Sequence, residues 1–167
     1  MLRSLVGSEM CIRDRTSNVR FDDSDVQAYN ILADIPGTDP KAGYVMAGAH
    51  LDSWAAGDGA SDNAAGSAVV MEAARILSQM GVRPKRTIRF ALWNGEEQGL
   101  LGSLAYIEQH IATRAPAATG PTTGLARFYG WTSRWPITKK PGYDQLAAYF
   151  NLDNGSGKIR GIYAENN

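Results

Sequence analysis

His50 and Asp52 lie two residues apart, Asp62 follows ten positions later, Glu96 and Glu97 are adjacent, and Asp153 stands alone near the end of the chain. Each of these side chains can hold a cation or move a proton. One imidazole among several carboxylates, with no sulfur, is a donor set that suits zinc, with manganese or cobalt as substitutes. Carboxylates brought close together repel one another unless protons or cations offset the charge. Each residue also has a plainer reading. A lone His-x-Asp is common, and a histidine beside a strand end is more often structural. Glu-Glu pairs are usually solvated, and Asp153 in Asn-Leu-Asp-Asn-Gly can cap a turn. Gly57-Asp58-Gly59 lacks the Gly-Lys-Ser/Thr ending of a phosphate loop. Asp58 and Asp62 lack the spacing of a calcium-binding EF-hand.

What separates these readings is where the chain places the residues. From Val26 onward, Tyr29, Ile31, Ala33 and Ile35 alternate with Ala28, Asn30, Leu32 and Asp34, which predicts a half-buried strand. After a turn at Pro36-Gly37 and Asp39-Pro40, Tyr44–Ala49 is a continuous apolar run, as in a strand buried on both faces, and it ends at His50-Leu51-Asp52. A helix is predicted from about Asn63 to Met80, with Val69, Ala73, Ile76, Leu77 and Met80 on its apolar face, Gly81 as left-handed cap and Pro84 beyond. Thr87–Trp93 reads as the next strand and runs into Asn94-Gly95-Glu96-Glu97. A second helix is expected over roughly Leu100–Ile111, then strands over Ala147–Leu152 and Ile159–Ala164. Residues 113–142 are rich in Pro, Gly and Thr, carry Phe128, Tyr129, Trp131 and Trp135, and read as a long loop of the kind that usually has a task.

Alternating strands and helices predict an α/β fold, a sheet with helices on both faces, and such sheets bind ligands beyond the carboxyl ends of their strands. Three of the predicted strands end in the residues singled out above. Asp62 opens the first long helix just past one of those ends. The coincidence of all of them at one sheet edge outweighs the plain reading of each.

The blocks Gly48-Ala49-His50-Leu51-Asp52-Ser53, Gly59-Ala60-Ser61-Asp62-Asn63-Ala64-Ala65-Gly66, Leu92-Trp93-Asn94-Gly95-Glu96-Glu97-Gln98-Gly99 and Asn151-Leu152-Asp153 occur in this order. In this the sequence resembles the co-catalytic di-zinc peptidases that include bacterial leucyl aminopeptidases and plasma glutamate carboxypeptidase. The resemblance runs from about Val26 to the end and is weakest over 113–142. It implies a three-layer α/β/α zinc-exopeptidase-like fold with a mostly parallel mixed sheet. It further implies that His50 and Asp153 bind one zinc, that Glu97 binds the other, and that Asp62 bridges the two, roughly 3.5–4 Å apart. Asp52 would accept the second imidazole N–H and fix the tautomer. Glu96 would be the general base, taking a proton from the attacking water and delivering it to the leaving amine. A cis peptide at Asp62-Asn63 and export of the full-length protein, secreted or periplasmic, are implied too. The family has one more histidine on the second zinc. Here only His50 and His110 exist, and His110 falls on a helix running back toward the opposite sheet edge. The catalytic domain of residues 16–167 is therefore expected to be truncated at its C-terminus, with that ligand lost.

The resemblance implies a peptide or dipeptide substrate, and bulk properties point to no other class of partner. Seventeen basic residues balance seventeen acidic ones, so no charged face for nucleic acid is indicated. Hydrophobic residues, at 44%, are numerous enough for one domain with a real core, and no stretch reaches the length of a membrane span. The single cysteine, Cys11, forms no intrachain disulfide and no thiolate metal site. Residues 1–15 have no apolar core of a secretory signal and read as a non-native leader or disordered tail. Three functions compete: an exopeptidase, another amide reaction such as glutaminyl cyclisation, and a non-catalytic interaction domain. Peptide hydrolysis best uses the whole set, because a binding module has no need of both a base and the ligands. Whether the exopeptidase attacks from the amino or the carboxyl end, as an aminopeptidase or as a carboxypeptidase or dipeptidase, stays open.

Overall fold

The computed structural model describes residues 24–114, 136–153 and 155–162, with residues 18, 20 and 22 before them. Along the chain lie β1 (Ile31–Ile35), β2 (Tyr44–His50), α1 (Ala65–Gln79), β3 (Thr87–Trp93), the short α2 (Leu101–Tyr106), β4 (Ala112–Arg114), β5 (Ile137–Lys139) and β6 (Leu146–Asn151). Irregular helical turns cover Ala60–Ala64 before α1 and Ile107–Ile111 after α2. The main sheet has the order β1-β3-β2-β6. Strands β3 and β6 both run parallel to β2, and β1 alone is antiparallel. The sheet is mixed and mostly parallel, as expected.

β2 sits between two neighbours and is largely buried along its length, which is why its sequence shows no polar alternation. Its alternate residues serve two cores. Tyr44 and Met46 pack with Ala91, Trp93 and Tyr106 on the α2 face. Ala49 packs with Val70 and Phe90 on the α1 face, joined by Ala73, Ala74, Leu77, Ile88 and Leu92. One helix on each face makes the three layers. At the far edge, Asp34 and Arg89 are register partners, and the guanidinium donates to both Asp34 oxygens at 2.8 and 2.7 Å. That two-pronged contact holds β1 in its register even though Ile31 and Leu32 remain exposed.

Trp93 ties three elements together. Its ring lies 5.3 Å from that of Tyr106 on α2, and its Nε1–H donates to the Tyr149 hydroxyl of β6 at 2.7 Å. Trp93→Ala is expected to destabilise the chain by about 3–5 kcal/mol, from lost burial plus a cavity. Urea unfolding measures this, and a loss under about 1 kcal/mol would show that the aromatic contact does not hold the layers together.

Several expectations are corrected. α1 begins at Ala65 rather than Asn63, because Asp62 (φ −129°, ψ 89°) and Asn63 (φ −135°, ψ 38°) are not helical. Its buried stripe runs through Val70, Ala73, Ala74 and Leu77, while Val69, Ile76 and Met80 are exposed. Both stripes are apolar at helical spacing, so periodicity alone could not choose between them. Gly81 is left-handed (φ 63°), as expected of the cap. The second helix keeps α-geometry only to Tyr106. Within the expected loop 113–142, β4 and β5 pair as an antiparallel ribbon. Phe128, Tyr129, Trp131 and Trp135 lie outside the described residues, as do residues 1–15 with Cys11. The expected strand Ile159–Ala164 is not found over Ile159–Ile162, and its last two residues are likewise outside the described ones. Among the described residues, no helix is long and apolar enough to cross a membrane.

Candidate metal centre

The parallel pairing of β2 with β3 and β6 brings their carboxyl ends side by side. Leu51 N–H donates to the Trp93 carbonyl at 2.8 Å, and Leu152 N–H donates to the Gly48 carbonyl at 2.9 Å. These bonds align the peptide segments that carry His50, Glu96, Glu97 and Asp153. Ser67 on α1 donates to the His50 carbonyl at 2.7 Å and fastens the helix to the same end.

Asn63, which the sequence reading did not single out, fastens the rest. It is 1% exposed. Its Nδ2 donates to the Leu152 carbonyl at 3.0 Å, and its Oδ1 accepts the Gly66 N–H at 3.1 Å. The residue after Asp62 is thereby bonded to the residue before Asp153. A side chain at Gly66 would drive its Cβ into the Asn63 amide and to 2.6 Å from the Leu152 carbonyl, so only glycine allows this approach. The available signal was an asparagine just ahead of a helix, where its oxygen commonly accepts a first-turn N–H. The Asp62–Asn63 peptide is cis, as the resemblance implied.

All six candidate residues meet around His50, which is 2% exposed. Its Nε2 is 3.1 Å from Asp62 Oδ1, 3.3 Å from Asp153 Oδ1 and 4.0 Å from Glu96 Oε2. Donor atoms of His50, Asp62 and Glu97 lie within 4.8 Å of one another. His110 is elsewhere: its ring packs 4.7 Å from that of Tyr106, in a cleft shared with Tyr44 and Arg89 at the opposite sheet edge.

Asp52 is placed differently from expectation. The imidazole Nδ1 is 3.0 Å from the main-chain carbonyl of Asp52 and 3.5 Å from its carboxylate. The carboxylate is occupied instead by two main-chain donors, Glu96 N–H on Oδ1 and Glu97 N–H on Oδ2, each at 3.1 Å.

A carbonyl only accepts, so Nδ1 carries the proton and neutral His50 directs the Nε2 lone pair at carboxylates. That arrangement is repulsive unless a proton or a cation stands between them. Burial alone pulls the His50 imidazole pKa down, but Asp153, Glu96 and Asp52 outweigh it and leave it above its ordinary value. Burial raises Glu96, and Asp153, Glu97 and Asp52 raise it further. Burial, with Asp62 close by, raises Glu97 as well. All three groups hold protons more tightly than usual, as expected where negative charge is in excess. Glu97 Oε1 is buried with no hydrogen-bond partner among the described residues. An orphaned carboxylate oxygen, an aligned imidazole lone pair and a nitrogen–oxygen donor set together fit zinc.

Fold and cluster thus define a three-layer α/β domain with a carboxylate–imidazole cluster, its donor set suited to a cation, at the carboxyl ends of its parallel strands. The chain belongs to peptidase family M28, whose description matches residues 30–163. It is 42% identical over 100 residues to leupeptin-inactivating enzyme 1 of Streptomyces exfoliatus, covering 60% of this chain and 23% of that protein. It is 39% identical over 104 residues to carboxypeptidase Q of Xenopus laevis, covering 62% and 22%. Among solved structures it resembles a zinc aminopeptidase from Bacillus subtilis, with TM-score 0.50 and 27% identity over 75% of this chain and 24% of that one. The chain therefore spans less than a quarter of the length of each of these relatives.

Proposed function

We propose that the full-length protein is a zinc exopeptidase that cleaves peptide bonds near a chain terminus at a two-metal site. The observation that carries this reading is the buried, unpartnered Glu97 Oε1, on a side chain that offers a donor atom within 4.8 Å of those of His50 and Asp62. His50 and Asp153 would hold one ion, Glu97 the other, and Asp62 both. Two ions suit the number of carboxylates here better than one does. Zinc bound there supplies a Lewis acid that polarises the scissile carbonyl and acidifies water. The chain's own groups do the rest. Main-chain contact with Nδ1 keeps His50 in the tautomer that offers Nε2. Glu96, 27% exposed and with Oε2 turned toward His50, accepts a proton from the attacking water and passes it to the departing amine nitrogen. Its raised pKa brings it closer to neutral pH, which suits a group that must both take and return a proton.

Free and amino-blocked peptides, offered to the zinc-loaded full-length protein, test the reading. Release of amino-terminal residues from the free peptides alone supports an aminopeptidase. Release of carboxy-terminal residues from both favours the carboxypeptidase or dipeptidase reading, to which the likeness to carboxypeptidase Q lends weight. Hydrolysis of neither, with zinc bound, would leave a non-catalytic domain. Secretion or passage to the periplasm belongs to the same proposal and rests on the family resemblance alone.

Zinc and protons compete for His50. Because its pKa is raised, competition extends to higher pH than for an ordinary histidine. Below that pKa, zinc affinity is expected to fall by about tenfold per pH unit for each proton displaced. Calorimetry in buffers of different ionisation enthalpy counts those protons. Affinity independent of pH from 5 to 7 would exclude His50 as a ligand.

A further inference from the structure

We propose that the Asp52 carboxylate positions the Glu96–Glu97 pair, while the His50 imidazole is oriented by the Asp52 main chain. This deepens the functional reading above and rests on it where zinc is concerned. The geometry divides the residue's work in two. Its carbonyl takes the Nδ1 proton at 3.0 Å, whereas its nearest carboxylate oxygen is 3.5 Å from that nitrogen. The carboxylate receives two consecutive N–H groups, one on each oxygen.

Consecutive main-chain donors converging on one anion make a small nest, and filling it fixes the backbone of both residues at once. Here the nest follows β3, where Gly95 has φ 71° and the chain turns sharply. With both N–H groups pointing at Asp52, the two side chains cannot swing as a unit. Glu96 is left with Oε2 at 4.0 Å from His50 Nε2. Glu97 is left with a donor atom inside the cluster formed with His50 and Asp62. Glu96 and Glu97 lie in the turn beyond the end of β3, and the two bonds to Asp52 fix that turn with both glutamates at one site. Asp52 is mostly buried, 13% exposed, so water competes little for these bonds.

Asp52→Asn tests this. The amide keeps one acceptor oxygen but sets its NH2 group against the other main-chain N–H. Zinc titration of the 167-residue chain is expected to show affinity weakened by about 10–100-fold, the usual effect of losing an outer hydrogen-bond partner. Selective 15N-histidine labelling reads the tautomer, and with only two histidines in the sequence the His50 signals are separable. The His50 tautomer is expected to be unchanged, because the carbonyl that holds Nδ1–H is still there. A changed tautomer would overturn the proposal, and so would zinc affinity within about twofold of the unaltered chain. Should the variant not fold, the unaltered, metal-free chain decides the matter. The Glu96 and Glu97 amide protons are expected to be shifted downfield and slow to exchange, and fast exchange at both would overturn the proposal. If the unaltered chain binds no zinc, the metal reading fails, while tautomer and exchange still judge the role of Asp52.

Discussion

Glu96→Gln in the full-length protein is expected to keep zinc and lose peptide hydrolysis by about 10²–10⁴-fold, the usual share of a general base. Glutamine matches glutamate in shape and can still hydrogen-bond a water. It cannot take up a proton and release it again. Glu96 Oε2 lies 4.0 Å from His50 Nε2, farther than the Asp62 and Asp153 oxygens at 3.1 and 3.3 Å. The side chain therefore stands at the rim of the cluster and is not needed to close it. Asp62→Ala should behave in the opposite way. That substitution removes the carboxylate nearest to Nε2, and metal content should fall along with activity. Metal analysis and peptide hydrolysis on the same samples separate the two phenotypes. Near-normal turnover in Glu96→Gln would remove Glu96 as the base.

How much of this could be read from the sequence depended on which signals were local. β2 was readable because burial on both faces produces an uninterrupted apolar run, and its end at His50 followed directly. The gathering of candidate residues at strand ends followed from the parallel arrangement that alternating helices impose. Their roles, and the cis Asp62–Asn63 peptide, came from resemblance and not from residue pattern. What was missed depends on three-dimensional placement. Asn63 joins residues 89 positions apart through one amide, and nothing local to Asn63 announces the Leu152 carbonyl. The preference of the Asp52 carboxylate for main-chain N–H groups over the imidazole depends on how the turn at Gly95 meets the end of β2. The β4–β5 ribbon uses three-residue strands, too short to show any period. The buried face of α1 was ambiguous because the helix is apolar on more than one side.

The 167-residue chain is expected to bind one zinc ion firmly and to show little or no peptidase activity. Zinc normally takes about four donors. Around Nε2 of His50, the donors at 3.1 and 3.3 Å from Asp62 and Asp153 make one position nearly complete. A second ion would have Glu97 and a share of Asp62, with no further imidazole among the described residues, since His110 packs against Tyr106 at the other edge of the sheet. Carboxylates alone hold zinc less well than a mixed set, and the first dication repels the second. Below the raised pKa of His50, the first ion should bind with release of a proton, because metal and proton compete for Nε2. Once bound, it lowers the negative charge that would attract another. Calorimetric zinc titration beside an aminopeptidase assay tests both halves of this expectation. A stoichiometry of one with negligible turnover is the expected result. Two tight sites with rapid turnover would mean that a further ligand exists within these 167 residues, and that the division of ligands between the two ions is wrong.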